Sequence, residues 1–307
     1  MKVGTQVFMR LLGDTRRRKL ADFCSDFRHW LTDYPVDDLE PMRPRLVDDF
    51  PTASKIPRVL VQTYRTSALV RPIHGAATAW QEMNPEFDYK FFDDDEARAF
   101  IQERYPTEVL EAFDSLVPGA YRADLWRYCY LAAEGGVYAD IRMEPLVALR
   151  TILDFSSDAP PDFVGVRDRP GSKGHGLAYL YNAFMAAAPG HPFLTAAVER
   201  TVRQVRAREY GRDLLDITGP GCIGAASNEA LGQPIDTPFT LGDHDDPAVG
   251  RYRILEHDDD DYHRSVLTFG DQFLIRTKCI HGRMFRADRS LPSHSYSYYY
   301  FKRQVYR

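Results

Sequence analysis

The densest run of chemically capable side chains in this sequence lies between Arg122 and Glu144. Asp124 and Arg127 stand three residues apart, Gly135 and Gly136 follow, and Asp140, Arg142 and Glu144 then alternate. A carboxylate at a strand end can accept hydrogen bonds or ligate a hard cation, and a planar guanidinium can grip an anion with two parallel hydrogen bonds. The elements that must position these groups are a helix and a strand. Pro118 and Gly119 can open the helix, and Tyr121, Leu125, Tyr128, Cys129 and Ala132 recur at helical spacing as a core face, with Asp124, Arg127 and Leu131 on another stripe. Gly135-Gly136 supplies the left-handed backbone that ends a helix. Val137, Ala139 and Ile141 should then face one side of a strand, and Tyr138, Asp140, Arg142 and Glu144 the other. A core helix with an ordinary Asp-Arg surface pair fits the same spacing equally well.

The run Ala123-Asp124-Leu125-Trp126-Arg127, followed by Gly135-Gly136-Val137-Tyr138-Ala139-Asp140, resembles the signature of the DXD-containing sugar transferases. That family includes the alpha-1,6-mannosyltransferase-like enzymes of fungal type and, more distantly, the glucosyltransferase domains of large clostridial toxins. Trp80, Asn84 and Pro85, ahead of an aromatic strand at Phe87, Tyr89 and Phe91, extend the similarity towards the N-terminus. Leu180 to Met185 and Ile217 to Gly221 extend it towards the C-terminus. The pattern departs from the family at one atom group: Arg142 stands where the family has its second acid, and a guanidinium cannot ligate a cation.

The resemblance implies an α/β protein with a GT-A type nucleotide-sugar fold, a mixed, mostly parallel sheet flanked by helices. It implies transfer of a sugar from a UDP- or GDP-linked donor to a hydroxyl of a glycan acceptor, usually with retention of configuration. In that scheme Asp140 and Arg142 are the catalytic candidates. Asp124 and Arg127 orient ribose and sugar hydroxyls, and Thr63, Tyr64, Tyr138, Asn182 and Gly219 complete the donor site. The family's divalent ion, Mn2+ or Mg2+, would be held by Asp140, with His294 as the candidate second ligand. Arg142 leaves two readings open: it replaces part of the metal's charge by gripping phosphate oxygens, or a weakened metal site persists and Arg142 pairs with Glu144 or the acceptor. It also favours an alternative of a different class, a relative that binds nucleotide sugars or glycans without transfer. A glycoside hydrolase would need two opposed carboxylates and no nucleotide site.

The 307 residues, 44% hydrophobic, suffice for one large core or two. A net charge of -5 gives no reason to expect a nucleic-acid partner. Four cysteines without metal-finger spacing point to a reducing compartment. No run approaches the ~18 apolar residues of a membrane helix. Many eukaryotic members of the family carry an N-terminal span, so the expectation is a cytoplasmic enzyme of bacterial or viral type. The organisation expected is a helical extension and linker over 1–54 and a transferase domain over 55–307. Residues 16–34 have the spacing of an amphipathic helix.

Further along, Ile56 to Val61 reads as a buried parallel strand, which puts Gln62, Thr63 and Tyr64 at its ligand-facing carboxyl end. Asp93 to Glu96 reads as a helix cap rather than a metal site. Phe163 to Val166 should be a strand and Phe193 to Tyr210 an amphipathic helix. Ile217 to Gly221 should open a helix whose free N–H groups suit an anion. Gly171 to Gly174 lacks the spacing of a phosphate loop. Asp258 to Asp261 reads as a solvated loop, and the aromatic tail from Ser293 to Tyr300 as a group that stacks on sugar or closes the core.

Overall fold

The computed structural model describes residues 54–154, 157–169, 177–259, 265–278 and 296–307, together with a short strand at 33–35. The remainder of the expected N-terminal extension, Cys24, Cys279 and His294 lie outside the described residues. In chain order the strands are β1 (Asp33–Pro35), β2 (Val59–Thr63), β3 (Ala68–Val70), β4 (Asp88–Phe92), β5 (Gly136–Ala139), β6 (Glu144–Pro145), β7 (Phe163–Arg167), β8 (Phe184–Ala187), β9 (Gly242–Asp246), β10 (Gly250–Asp259), β11 (Ser265–Phe269) and β12 (Gln272–Arg276). The helices are α1 (Arg71–Met83), α2 (Asp94–Arg104), α3 (Thr107–Ser115), α4 (Gly119–Glu134), α5 (Leu149–Leu153), α6 (Pro192–Arg206), α7 (Pro220–Ala230) and α8 (Tyr296–Phe301).

A ten-stranded mixed sheet in the order β4-β2-β5-β8-β7-β10-β11-β12-β6, with β9 paired to β10, forms the frame. β2, β4, β5, β7, β10 and β12 point the same way, but parallel hydrogen bonding is confined to β4-β2-β5 and β7-β10. β8 runs against both its neighbours, and the β10-β11-β12-β6 end is antiparallel throughout. Parallel pairing is thus a smaller share than expected, because short connections such as Gly270-Asp271 between β11 and β12 allow only antiparallel neighbours. β1 pairs antiparallel with β3, so residues 33–35 are strand where the amphipathic spacing suggested the last turn of a helix and the start of a linker.

Both sheet faces are covered, and strand alternation sorts residues between them. Val61, Tyr138, Phe163, Met185 and Ile254 face a core built with α4, α6 and α7. Leu60, Val137, Ala139, Val164, Phe184 and Leu255 face a second core that includes Trp80 of α1 and Leu149 of α5.

Local sequence explains the elements nearest the site. In α4 every residue from Asp124 to Leu131 is buried, so the polar stripe expected on its far side also packs against protein. Gly135 and Gly136 end the helix at φ 67° and 102°. A Cβ on Gly136 would stand 2.7 Å from the Val59 carbonyl oxygen, and one on Gly135 would stand 2.8 Å from that of Ala187, so this turn can approach β2 and β8 only without side chains. Asp93 caps α2 through a reciprocal capping box with Glu96, as its position suggested. Asp258 and Asp259 end β10 instead of lying in a loop.

Candidate functional site at the carboxyl edge of the sheet

Strand direction brings the candidate residues to one edge. Asp140 follows the end of β5, Asn182 precedes β8, Asp168 follows β7, Ser265 opens β11 and Lys278 follows β12, all at the carboxyl edge of the co-directional strands. Ligands of open α/β sheets bind at such edges. β5 ends at Ala139, so Asp140 and Arg142 do not alternate along a strand. They sit instead in a tight turn in which the Met143 amide donates to the Asp140 carbonyl at 2.8 Å. The Trp80 indole N–H donates to the Met143 carbonyl at 2.9 Å, and Asn84 accepts from the Leu149 amide at 2.6 Å, so α1 holds both ends of the loop that carries this turn.

Arg127 is the hub. Its guanidinium lies 3.4 Å from Asp124 Oδ1 and 3.3 Å from Asp140 Oδ1, donates to the Asn182 carbonyl at 2.8 Å, and stacks 4.3 Å over the Tyr138 ring. Tyr138 completes the circle by donating its hydroxyl to Asp140 Oδ1 at 2.8 Å. Asp124 uses both oxygens inward: Oδ1 accepts from the Asn182 amide at 2.9 Å and Oδ2 from the Thr218 hydroxyl at 2.8 Å. Tyr128, one residue after Arg127, accepts from the Asn182 amide at 2.7 Å and donates to the Thr218 carbonyl at 2.7 Å and to that of Gly219 at 3.3 Å.

Electrostatics follow from this enclosure. Burial pushes the Asp124 carboxyl up, opposed by Arg127 and by the hydrogen bonds from Thr218 and Asn182. Burial works against the charge of Arg127, but Tyr138, Asp140 and Asp124 more than offset it and hold the guanidinium protonated. Burial also pushes the Tyr138 hydroxyl well up, so it stays a donor.

Two acceptor atoms remain open. Asp140 is 29% exposed at its side chain, and its Oδ2 has no protein partner among the described residues. The same holds for Asn182 Oδ1, because only the amide nitrogen of that side chain is engaged. Beside them the Tyr181 hydroxyl, also without a hydrogen-bond partner among the described residues, feels the charges of Asp140, Asp168, Arg142 and Arg127, after burial the causes that set its acidity. The Tyr181 ring lies 4.3 Å from that of His257, which bridges Asp168 Oδ1 at 2.9 Å and Ser265 Oγ at 2.7 Å.

The structure therefore brings together Asp124, Arg127, Tyr138, Asp140, Asn182 and the backbone of Gly219. Thr63 turns elsewhere, its hydroxyl donating to the Phe92 carbonyl of β4 at 2.7 Å. Tyr64 packs on the small core of Leu69, Ile73 and Ile141. Gln62, expected at a ligand-facing position, is fully buried between Tyr89 and the Ala139 carbonyl, and so ties β2 to the end of β5. From sequence Tyr128 reads only as a core residue, and Thr218 and Tyr181 only as members of the segments Ile217–Gly221 and Leu180–Met185. The signal for a place in the site is adjacency to Gly219, Arg127 and Asn182.

In the turn after β5 a divalent ion would meet one open carboxylate oxygen, Asp140 Oδ2, and the described residues contain no group of three His, Cys, Asp or Glu side chains able to hold one. With a guanidinium at position 142, this donor set does not build a metal seat from protein atoms, which in a hard-cation site are oxygens. A cavity of about 240 Å3 lined by Asp154, Asp243, His244, Arg251 and Arg253 lies at the amino end of β10, away from the carboxyl edge.

Residues 73–158 match the family described as the glycosyltransferase sugar-binding region containing DXD motif. The matched segment carries Asp124, Arg127 and Asp140, so the similarity falls on the part of the chain that builds the hub of the site. It is 29% identical over 151 residues to inositol phosphoceramide mannosyltransferase 3 of Schizosaccharomyces pombe, a match covering 49% of this chain and 38% of the relative. It is 28% identical over 169 residues to the mannosyl phosphorylinositol ceramide synthase SUR1 of Saccharomyces cerevisiae, covering 53% of this chain and 37% of the relative. The matches thus span less than half of either relative's length. Among solved structures, the PaToxG glycosyltransferase aligns with a TM-score of 0.45 at 15% identity, over 58% of this chain and 70% of that one. Among the described residues no helix is long and apolar enough to cross a membrane.

Proposed function

We propose that this chain transfers a hexosyl group from a nucleoside-diphosphate sugar to a hydroxyl of a glycan acceptor, with retention of configuration. The observation that carries the proposal is the state of Asp140: Oδ1 is fixed by Tyr138 and Arg127, while Oδ2, at the carboxyl edge of the sheet, has no hydrogen-bond partner among the described residues. A carboxylate held by one oxygen is oriented in advance to accept hydroxyls of the donor sugar with the other. Asn182 Oδ1 adds a second fixed acceptor beside it. Asp124 and Arg127 act from behind: Asp124 locks Asn182 and Thr218, and Arg127 cancels part of the charge of the two carboxylates, leaving the three groups with a net of one negative charge.

A hydrolase of the two-carboxylate kind fits less well, because both Asp124 oxygens face protein donors and cannot flank a scissile bond. Because the relatives are named as mannosyltransferases, mannosyl donors head the panel to be tested. The test is release of nucleoside diphosphate from UDP- and GDP-hexoses by purified protein, with and without Mn2+ or Mg2+. Release is expected with at least one donor and should fall by roughly 100-fold in Asp140→Asn, the scale on which a fixed polar contact to the reacting group matters. The non-catalytic reading draws on Arg142. Donor binding without release or transfer under any metal condition would favour it and overturn the transferase proposal.

A further inference from the structure

The carboxyl edge beyond Asp140 carries a second charged group. β12 pairs antiparallel with β6, with Arg276 opposite Glu144 and Ile275 opposite Pro145. Lys278 and Arg142 each lie two residues beyond the Arg276–Glu144 pair, Lys278 past the end of β12 and Arg142 in the turn before β6. The segment just before Lys278 is tied to the start of β11, the Thr277 amide donating to the Ser265 carbonyl at 3.0 Å and its hydroxyl to Ser265 Oγ at 2.7 Å. Arg169, from the loop after β7, reaches the same Ser265 Oγ at 3.4 Å. Three cationic side chains from three strand ends thus converge on one stretch of the edge.

Their charges are unequally balanced. Arg169 pairs with Asp259 at 2.5 Å, and Arg276, next to the group, pairs with Glu144. Lys278 is exposed and has no ion-pair or hydrogen-bond partner among the described residues. Burial and the charges of Arg142 and Arg169 push its ammonium down, with Asp259 pulling the other way, so both guanidinium groups act on Lys278. An ammonium held among like charges, with no ion-pair partner among the described residues, is a position that a multiply charged anion stabilises.

We propose that Arg142, Lys278 and Arg169 form a seat for the diphosphate of the donor, meeting with protein cations the charge that a metal on a second motif acid would meet. The seat rests on the transferase reading and deepens it. With the donor hexose hydroxyls at Asp140, two residues along the same turn from Arg142, the diphosphate runs towards the Arg142–Lys278 pair. As the bond between the anomeric carbon and the diphosphate oxygen breaks, its electron pair stays on that oxygen. The acceptor oxygen bonds to the anomeric carbon, and its proton passes to the departing phosphate. The negative charge so created grows where the three cations stand.

The test is calorimetric titration of inorganic pyrophosphate, UDP and GDP into the full chain in EDTA. All three ligands should bind without metal. Lys278→Gln, an exposed change whose unliganded melting temperature should match the parent, should weaken each by roughly 10-fold, the range for one charge-assisted hydrogen bond. Arg142→Asp should abolish binding in EDTA and make it depend on Mn2+. The seat is overturned if the parent binds these ligands only with Mn2+ present, or if neither substitution changes their affinity. Failure of the transferase reading looks different: pyrophosphate would bind in EDTA while no nucleotide sugar is turned over.

Discussion

Asp124 and Asp140 share one guanidinium, yet their substitution should produce different phenotypes. Asp140 sits at the lip, and Asp140→Asn keeps an acceptor oxygen for Tyr138, so the melting temperature should move little while donor turnover collapses. Asp124→Ala would leave the Asn182 amide, the Thr218 hydroxyl and one side of Arg127 unpaired in a buried site. Removing one partner of a buried charged pair costs about 3–5 kcal/mol, so chemical unfolding should show a loss of that order together with lost activity. His191 offers a test of the fold independent of the site. Burial holds its imidazole down at about 4, with the Asp162 charge opposing, so the folded state keeps it neutral. Above the ordinary value of roughly 6.5 neither state is protonated and the residue adds no pH dependence. As pH falls from there towards 4 the unfolded chain takes up the proton first, and stability should drop by up to about 3 kcal/mol. Urea unfolding at pH 7 and pH 4.5 checks this, and His191→Gln should remove that part of the slope.

At the scale of elements, the turn between α4 and β5 decides whether the two halves of the site meet. Gly136→Ala would put a methyl group against the Val59 carbonyl at a φ that L-residues rarely adopt. A loss of about 2 kcal/mol or more is expected from strain of that kind, with activity falling in step as β5 and Asp140 shift. This turn was legible in the sequence because two consecutive glycines after a helical pattern have few other uses, and the helix cap at Asp93 was legible for a similarly local reason. The depth of Asp124 was not. Its partners Asn182 and Thr218 lie 58 and 94 residues away in the chain, and helical periodicity shows which side a residue takes but not what packs there. The same limit explains Gln62. A polar residue at the carboxyl end of a strand reads as ligand-facing, whereas here Tyr89 and the Ala139 carbonyl satisfy it inside the sheet.

Across the whole molecule, the edge is assembled from strand ends that are distant in sequence, and its closing element comes last. Tyr296 of α8 lies 5.8 Å from Tyr121 of α4, while Val305 is fully buried and its carbonyl accepts from the Val117 amide at 2.8 Å. The sequence suggested that the aromatic tail either meets sugar or closes the core; in its described part Tyr299 and Tyr300 pack against the core built with α4, whereas Tyr296 and Tyr298 are exposed. Burial, then the charges of Asp124 and Arg142, set the acidity of the Tyr296 hydroxyl, which ties this helix to both parts of the edge. The reversal of β8 that brings Asn182 to Asp124 was likewise visible only in three dimensions, since a short apolar strand does not state its direction. The most direct measurement of the account is nucleoside-diphosphate release from a panel of UDP- and GDP-hexoses by the parent and by Asp140→Asn at matched melting temperature. Turnover by the parent that falls by about 100-fold in the variant is the result predicted. Equal turnover by the two proteins would contradict the role given to the open oxygen of Asp140.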